Sequence, residues 1–139
     1  MAVFASPTYL KKHGTPETPS DLLDHECIRY RFPTSRQIAP WTLRKDDEDY
    51  AVDVKGSLVV NTLPAVVELA TQDHGLIFTF RDYCAGQVSS DGTLVPVLED
   101  HIGKTPGTYI YFPREYRNMV PLRLFVDHLK ASAIKGATL

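Results

Sequence analysis

Cysteine is nearly absent: Cys27 and Cys84 are the only two in 139 residues. They have neither the density of a disulfide scaffold nor the short paired spacing of a metal site. A reducing, cytoplasmic setting is expected. An excess of positive charge is missing too. Fifteen Lys and Arg stand against 17 Asp and Glu, for a net charge of −2, and the basic residues are scattered. A protein that tracks phosphates needs a basic stripe, so this chain is not expected to bind DNA directly. No stretch approaches the roughly 20 apolar residues that span a bilayer, and the N-terminus lacks the charged flank and apolar run of a signal peptide, so no membrane partner is expected. Gly-rich phosphate loops, nucleophile elbows and paired metal motifs are missing as well. The chain is therefore expected to be no enzyme and to carry no cofactor. Internal repeats and low-complexity segments are also lacking. What remains is 43% hydrophobic and 23% charged residues, enough for one globular unit with its own core.

Helix and strand signals alternate along that unit. Val3-Phe4-Ala5 reads as a short strand, Ser6 as a helix N-cap and Pro7 as the first helical residue, where a missing N–H costs nothing. Lys11, Lys12 and His13 suit the negative end of that helix, and Gly14 can close it. Thr18-Pro19 repeats the cap-then-proline start, ahead of a strand at Cys27 to Arg31. Trp41 to Lys45 and Val52 to Lys55 alternate as a hairpin with an acidic tip at Asp46 to Asp49. Leu58-Val59-Val60 runs apolar without alternation, as a strand buried on both faces would. Asn61 or Thr62 caps a helix from Leu63 to about Asp73, with Val66, Leu69 and Ala70 inward. A strand at Leu76 to Phe80, a short helix from Asp82, a turn at Ser90-Asp91-Gly92 and a strand at Leu94 to Leu98 follow. Tyr109 to Phe112 reads as a last strand, and Leu122, Phe125, Val126 and Leu129 mark an amphipathic closing helix.

Four stretches in this order, "ASPTYLKKHGTPETPSDLLDHECIRYR", "GSLVVNTLPAVVELATQDHGLIFTFRDY", "DGTLVPVLED" and "TYIYFPREYRNMVPLRLFVDHL", resemble the C-terminal effector-binding domain of LysR-type transcriptional regulators. The resemblance covers nearly the whole chain. It implies an α/β fold of the periplasmic-binding-protein type (type 2), with two subdomains flanking a cleft for a small effector. Residues 1–100 correspond to the second subdomain. Residues 101–139 supply the crossover, strand and helix that return to the first, so the chain is expected to be an N-terminally truncated relative without the helix-turn-helix. The expected function is ligand sensing. The alternative is an interaction module that pairs with itself or with relatives in mixed oligomers.

In the family, effectors sit where helix N-termini face the cleft. The matching positions here are Ser6 and Thr8, and Asn61, Thr62 and Leu63. Free N–H groups there would hold a small anion; simple capping explains Ser6 and Thr62 equally well. His25, Glu26, Cys27, His74, Cys84 and His101 are too irregularly spaced for a metal site, and a thiol hydrolase using Cys27 or Cys84 would need a reactive thiol. Asp46 to Asp49 lacks the glycine and ligand spacing of a calcium loop. Arg29, Tyr30, Arg31 and Phe32 could stack on bases, but such alternation more often puts arginines in water. The closing segment needs an apolar partner surface, so a homodimer through residues 109–130 is expected, with exchange through the Gly103 to Gly107 loop as one route.

Overall fold

The computed structural model describes residues 1–45, 48–89, 92–103 and 109–136. The chain forms two compact units, residues 1–105 and 106–139.

The first unit is built on strands that run apolar on both faces. β1 (Ala2–Ala5) is buried along its whole length. Its alternate residues serve two cores: Val3 and Ala5 join Tyr9, Leu22, Trp41 and Leu43, while Ala2 and Phe4 join Ile28, Val66, Ala70 and Ile77. Complete burial of Phe4 alone stabilises the unit by about 1.5–3 kcal/mol. β1 lies between β6 (Ile77–Thr79) and β7 (Val95–Val97) and is antiparallel to both. Pro96 is tolerated because β7 is an edge strand and needs no donor on its outer side. On the other flank, β2 (Arg29–Tyr30) pairs parallel with β5 (Val59–Val60), and a parallel bridge between Cys27 and Leu76 joins that pair to β6. The spatial order is therefore β5-β2-β6-β1-β7, with β1 the one reversed strand. The hairpin expected around the acidic tip is present as β3 (Trp41–Lys45) and β4 (Glu48–Val52). Asp46 and Asp47 lie outside the described residues.

Helices form where the caps were read. α1 (Pro7–His13) has Ser6 as its cap, accepting from the Tyr9 N–H at 3.0 Å, and ends at Gly14. Gly14 has φ +87° but ψ 163°, so it closes the helix through positive φ without the full left-handed conformation. Thr18-Pro19 opens a 3-10 helix over Pro19–Asp24, where the Asp21 carboxylate accepts from the Glu17 and Thr18 N–H groups. α2 (Leu63–Thr71) buries Val66, Val67 and Ala70, with Leu69 only half-buried. α3 (Ala85–Ser89) follows a 3-10 turn at Arg81–Cys84.

Three expectations are corrected. β5 is half-buried rather than enclosed on both faces, because it ends the row of strands with β2 as its one neighbour. β4 stops at Val52, and Val54 is buried without belonging to a strand. In the second unit, Tyr109 to Phe112 is not a strand; all four residues are exposed, Tyr111 at 89%. A lone apolar segment cannot satisfy its N–H and C=O groups as a ladder, and none of the described residues pairs with it. α4 (Val120–Gly136) is the closing helix. Leu122, Val126 and Leu129 are half-buried on it, whereas Phe125 is 55% exposed.

Candidate functional site

The two helix N-termini singled out in the sequence differ in state. At α1 the Ser6 hydroxyl is fully committed: it caps Tyr9 and donates to the Asp73 carboxylate, and Ser6 itself is buried. The Ser6 hydroxyl is thus taken up by the protein's own carboxylate. Thr8 is exposed beside it. At α2 the Thr62 side chain makes no capping bond, and Pro64 takes one N–H away from the first turn. Asn61 and Thr62 are exposed and Leu63 half-buried. Asp73 follows the far end of α2, so the helix, about 14 Å long at 1.5 Å per residue, stands between the Ser6 pair and the Asn61 trio. The five residues do not converge.

Reversal of β1 is the physical reason. Ser6 follows the end of the reversed strand, at the amino edge of the parallel ones. Asn61 follows β5 at the carboxyl edge, where open α/β sheets place their ligands. There, a cavity of about 300 Å³ is lined by Arg31, Phe32, Pro33, Arg36 and Asn61. Arg31 is held at its backbone by Val60, donating to the carbonyl at 2.7 Å. The turn after β2 is closed by Phe32 N–H to Gln37 O and Arg36 N–H to Phe32 O, both 2.9 Å. Arg36 sits in the left-handed region at φ +59°, a conformation that costs a non-glycine residue energy. Neither Arg31 nor Arg36 has a carboxylate partner among the described residues. Sequence reading gave Arg31 to water and passed over Arg36; the signal available was the Pro33-Thr34-Ser35 turn immediately after a strand's carboxyl end.

Other candidates resolve differently. Burial pushes the Cys27 thiol up to about 12 and the Cys84 thiol to about 11, which leaves almost no thiolate at neutral pH. The hydrolase reading loses its nucleophile. Among the described residues, no group of three or more His, Cys, Asp or Glu could hold a metal. His13 stacks on Tyr9 with centroids 4.6 Å apart, and the His101 Nδ1 lies 3.0 Å from the Arg44 carbonyl oxygen. Asp49 is paired with Arg44 at 3.0 Å. Among the described residues, two buried side-chain polar atoms have no partner, Arg29 Nε and Thr79 Oγ1; each such atom costs about 1–3 kcal/mol. Arg29 Nη2 donates to the Gly56 carbonyl at 2.8 Å.

The first unit is an α/β sheet with a core on each face and a cationic hollow at its carboxyl edge. Residues 1–133 match the LysR substrate binding domain, and the chain belongs to that family. A Pseudomonas aeruginosa protein named for transcriptional regulation is 32% identical over 139 residues, all of this chain and 45% of its own length. The HTH-type transcriptional regulator PgrR of Escherichia coli is 30% identical over 137 residues, 99% of this chain and 44% of its own. The chain thus spans less than half the length of these relatives. A shorter Escherichia coli protein, YagP, named for a LysR family substrate binding domain, is 31% identical over 113 residues, 76% of this chain and 77% of its own. Among solved structures, the regulatory domain of CrgA from Neisseria meningitidis superposes with a TM-score of 0.72 at 23% identity, over 92% of this chain and 62% of that one. The AphB regulatory domain from Vibrio vulnificus gives 0.70 at 23%, over 94% and 63%. The fold is periplasmic-binding-protein-like, and the family consists of regulatory domains rather than enzymes. Among the described residues no helix is long and apolar enough to cross a membrane.

Proposed function

We propose that the chain is the ligand-sensing part of a cytoplasmic transcriptional regulator, and that its effector is a small anion held at the carboxyl edge of the sheet. One observation carries this: an N-terminus of α2 left uncapped by Thr62, beside a hollow with two arginines that lack carboxylate partners among the described residues. The helix dipole and both guanidinium groups favour negative charge at one point, and Asn61 adds a neutral donor. Ser6 and Thr8 are outside this reading, because the Ser6 hydroxyl is already bonded to Asp73 and Tyr9. In a full-length regulator, binding here would shift the arrangement of subdomains and so reposition the DNA-binding parts, a linkage in which this chain contributes the sensing step. Chemical-shift mapping with a panel of small carboxylates tests it. Shifts should cluster at Arg31, Arg36 and Asn61 to Leu63, and Arg36→Ala should weaken binding about tenfold, as losing a charge-assisted contact does. Shifts confined to other surfaces would refute it.

Self-association through residues 109–130 is favoured by a separate observation. Tyr109, Tyr111, Val120, Leu124 and Phe125 are all exposed, Phe125 at 55% and Leu124 at 65%. Covering each large apolar side chain is worth about 1.5–3 kcal/mol at most. Light scattering at micromolar concentration should show a homodimer, and Phe125→Asp should dissociate it while the first unit keeps its melting transition. A wild-type monomer would dispose of the idea. The Gly103 to Gly107 exchange route falls largely outside the described residues.

A further inference from the structure

We infer that self-association, on which this reading rests, seats a cationic groove of the second unit on the acidic β3–β4 hairpin of a second copy. Charge is divided unevenly along the chain. Residues 106–139 carry five Lys and Arg against two Asp and Glu, whereas residues 1–105 carry ten against fifteen. Three of the five cations, Arg117, Arg123 and Lys130, line one groove of about 180 Å³ over Leu122 and Val126 of α4. All three are exposed, and none has a carboxylate partner among the described residues. Asp127 is the one acid in that lining, so the groove keeps a cationic excess that an acidic partner neutralises. The densest acidic run of the sequence is Asp46-Asp47-Glu48-Asp49, with Asp53 just beyond it. Glu48 and Asp49 open β4, and both are exposed, as is Asp53. Arg44 and Lys45 stand opposite Asp49 and Glu48 in the ladder, two cations against five acids. Apolar surfaces match as well. Beside the hairpin a cavity of about 340 Å³ has Ile38, Pro40 and Val52 in its walls, and the second unit exposes the neutral rings of Tyr111 and Phe125. Exposed ion pairs orient two surfaces more than they hold them, so the affinity comes from covering those rings. Groove and hairpin of one copy engage hairpin and groove of the other about a two-fold axis, which closes the pair as a dimer.

Sedimentation at micromolar concentration tests this. Raising NaCl from about 50 to about 500 mM should weaken the dimer at least about tenfold, because exposed charges are screened, whereas an interface of apolar contacts alone would not loosen with salt. A groove variant, Arg123→Glu with Lys130→Glu, and a hairpin variant, Glu48→Lys with Asp53→Lys, should each be monomeric, since each loses both contacts of its own dimer. Their equimolar mixture should recover a dimer, because groove and hairpin are then complementary at both contacts. A dimer indifferent to salt and to both variants would overturn the hairpin as the partner and leave self-association standing. Variants whose mixture stays monomeric would also overturn it, and a monomeric wild type would remove both readings together. All four positions are exposed, and an unchanged melting transition checks that the variants fold; should one fail, the salt dependence of the unaltered chain still decides.

Discussion

Gly56 shows how closely single residues are constrained around β2. A Cβ on it would stand 1.8 Å from the Cys27 carbonyl oxygen, inside any possible contact. The same stretch supplies the Lys55 carbonyl that accepts from the Cys27 N–H at 3.0 Å, so the backbone cannot retreat without losing that bond. Gly56→Ala is therefore expected to cost about 3 kcal/mol or more, measured as a fall in the urea midpoint with unchanged slope. Nothing in the sequence distinguished this glycine, because the atom it avoids belongs to a residue 29 positions earlier. The candidate site has the same history. Asn61 and Thr62 were legible as a strand end followed by a cap, but Arg36 joins them only through a turn whose geometry the local sequence leaves open. Ser6 was legible as a cap, and its place in the reversed strand's shadow was not.

At the scale of elements, local chemistry was the better guide where one short stretch sets the outcome. Ser6-Pro7 and Thr18-Pro19 start helices where they were read, and Gly14 ends one. Tyr109 to Phe112 has a strand's composition without a strand's neighbour, and composition alone does not make a ladder. The join between α1 and the 3-10 helix also carries a pH response. Tyr9, buried, accepts from the Glu26 N–H at 3.0 Å and lies 3.2 Å from the His25 Nδ1. Burial, then the charge of His13, holds the His25 imidazole below its ordinary value, although Asp21 and Asp24 pull the other way. A histidine depressed in the folded state contributes stability that is complete above about pH 6.5 and lost as the pH falls through its folded value. Two carboxylates act lower down. Hydrogen bonds from Ser57 depress Glu26, and bonds from the Thr18 and Glu17 backbone depress Asp21. Their contribution is present above about pH 4 and lost on further acidification. Melting temperature followed from pH 8 downward should fall in two stages, and His25→Asn should remove the first while leaving the second. A single acid transition unaffected by that substitution would contradict the assignment.

Across the whole molecule, the reversed strand has a mechanical consequence. β1 and β7 are antiparallel neighbours, with Val3 opposite Val97 and Ala5 opposite Val95, so the chain enters and leaves this part of the sheet at the same edge. A load applied between Ala2 and Leu98 therefore falls on one rung at a time, beginning at Val3–Val97, instead of being shared along the strands as shear would be. The hydrogen bonds part in succession, like a zip drawn from its open end. Pulled between cysteines introduced at those two positions, the first unit should open at low force. Pulled between positions 5 and 98, at opposite ends of the same pair, the strands must slide past each other and the rupture force should rise. The direction from which strain arrives, more than its size, then determines whether this sheet holds.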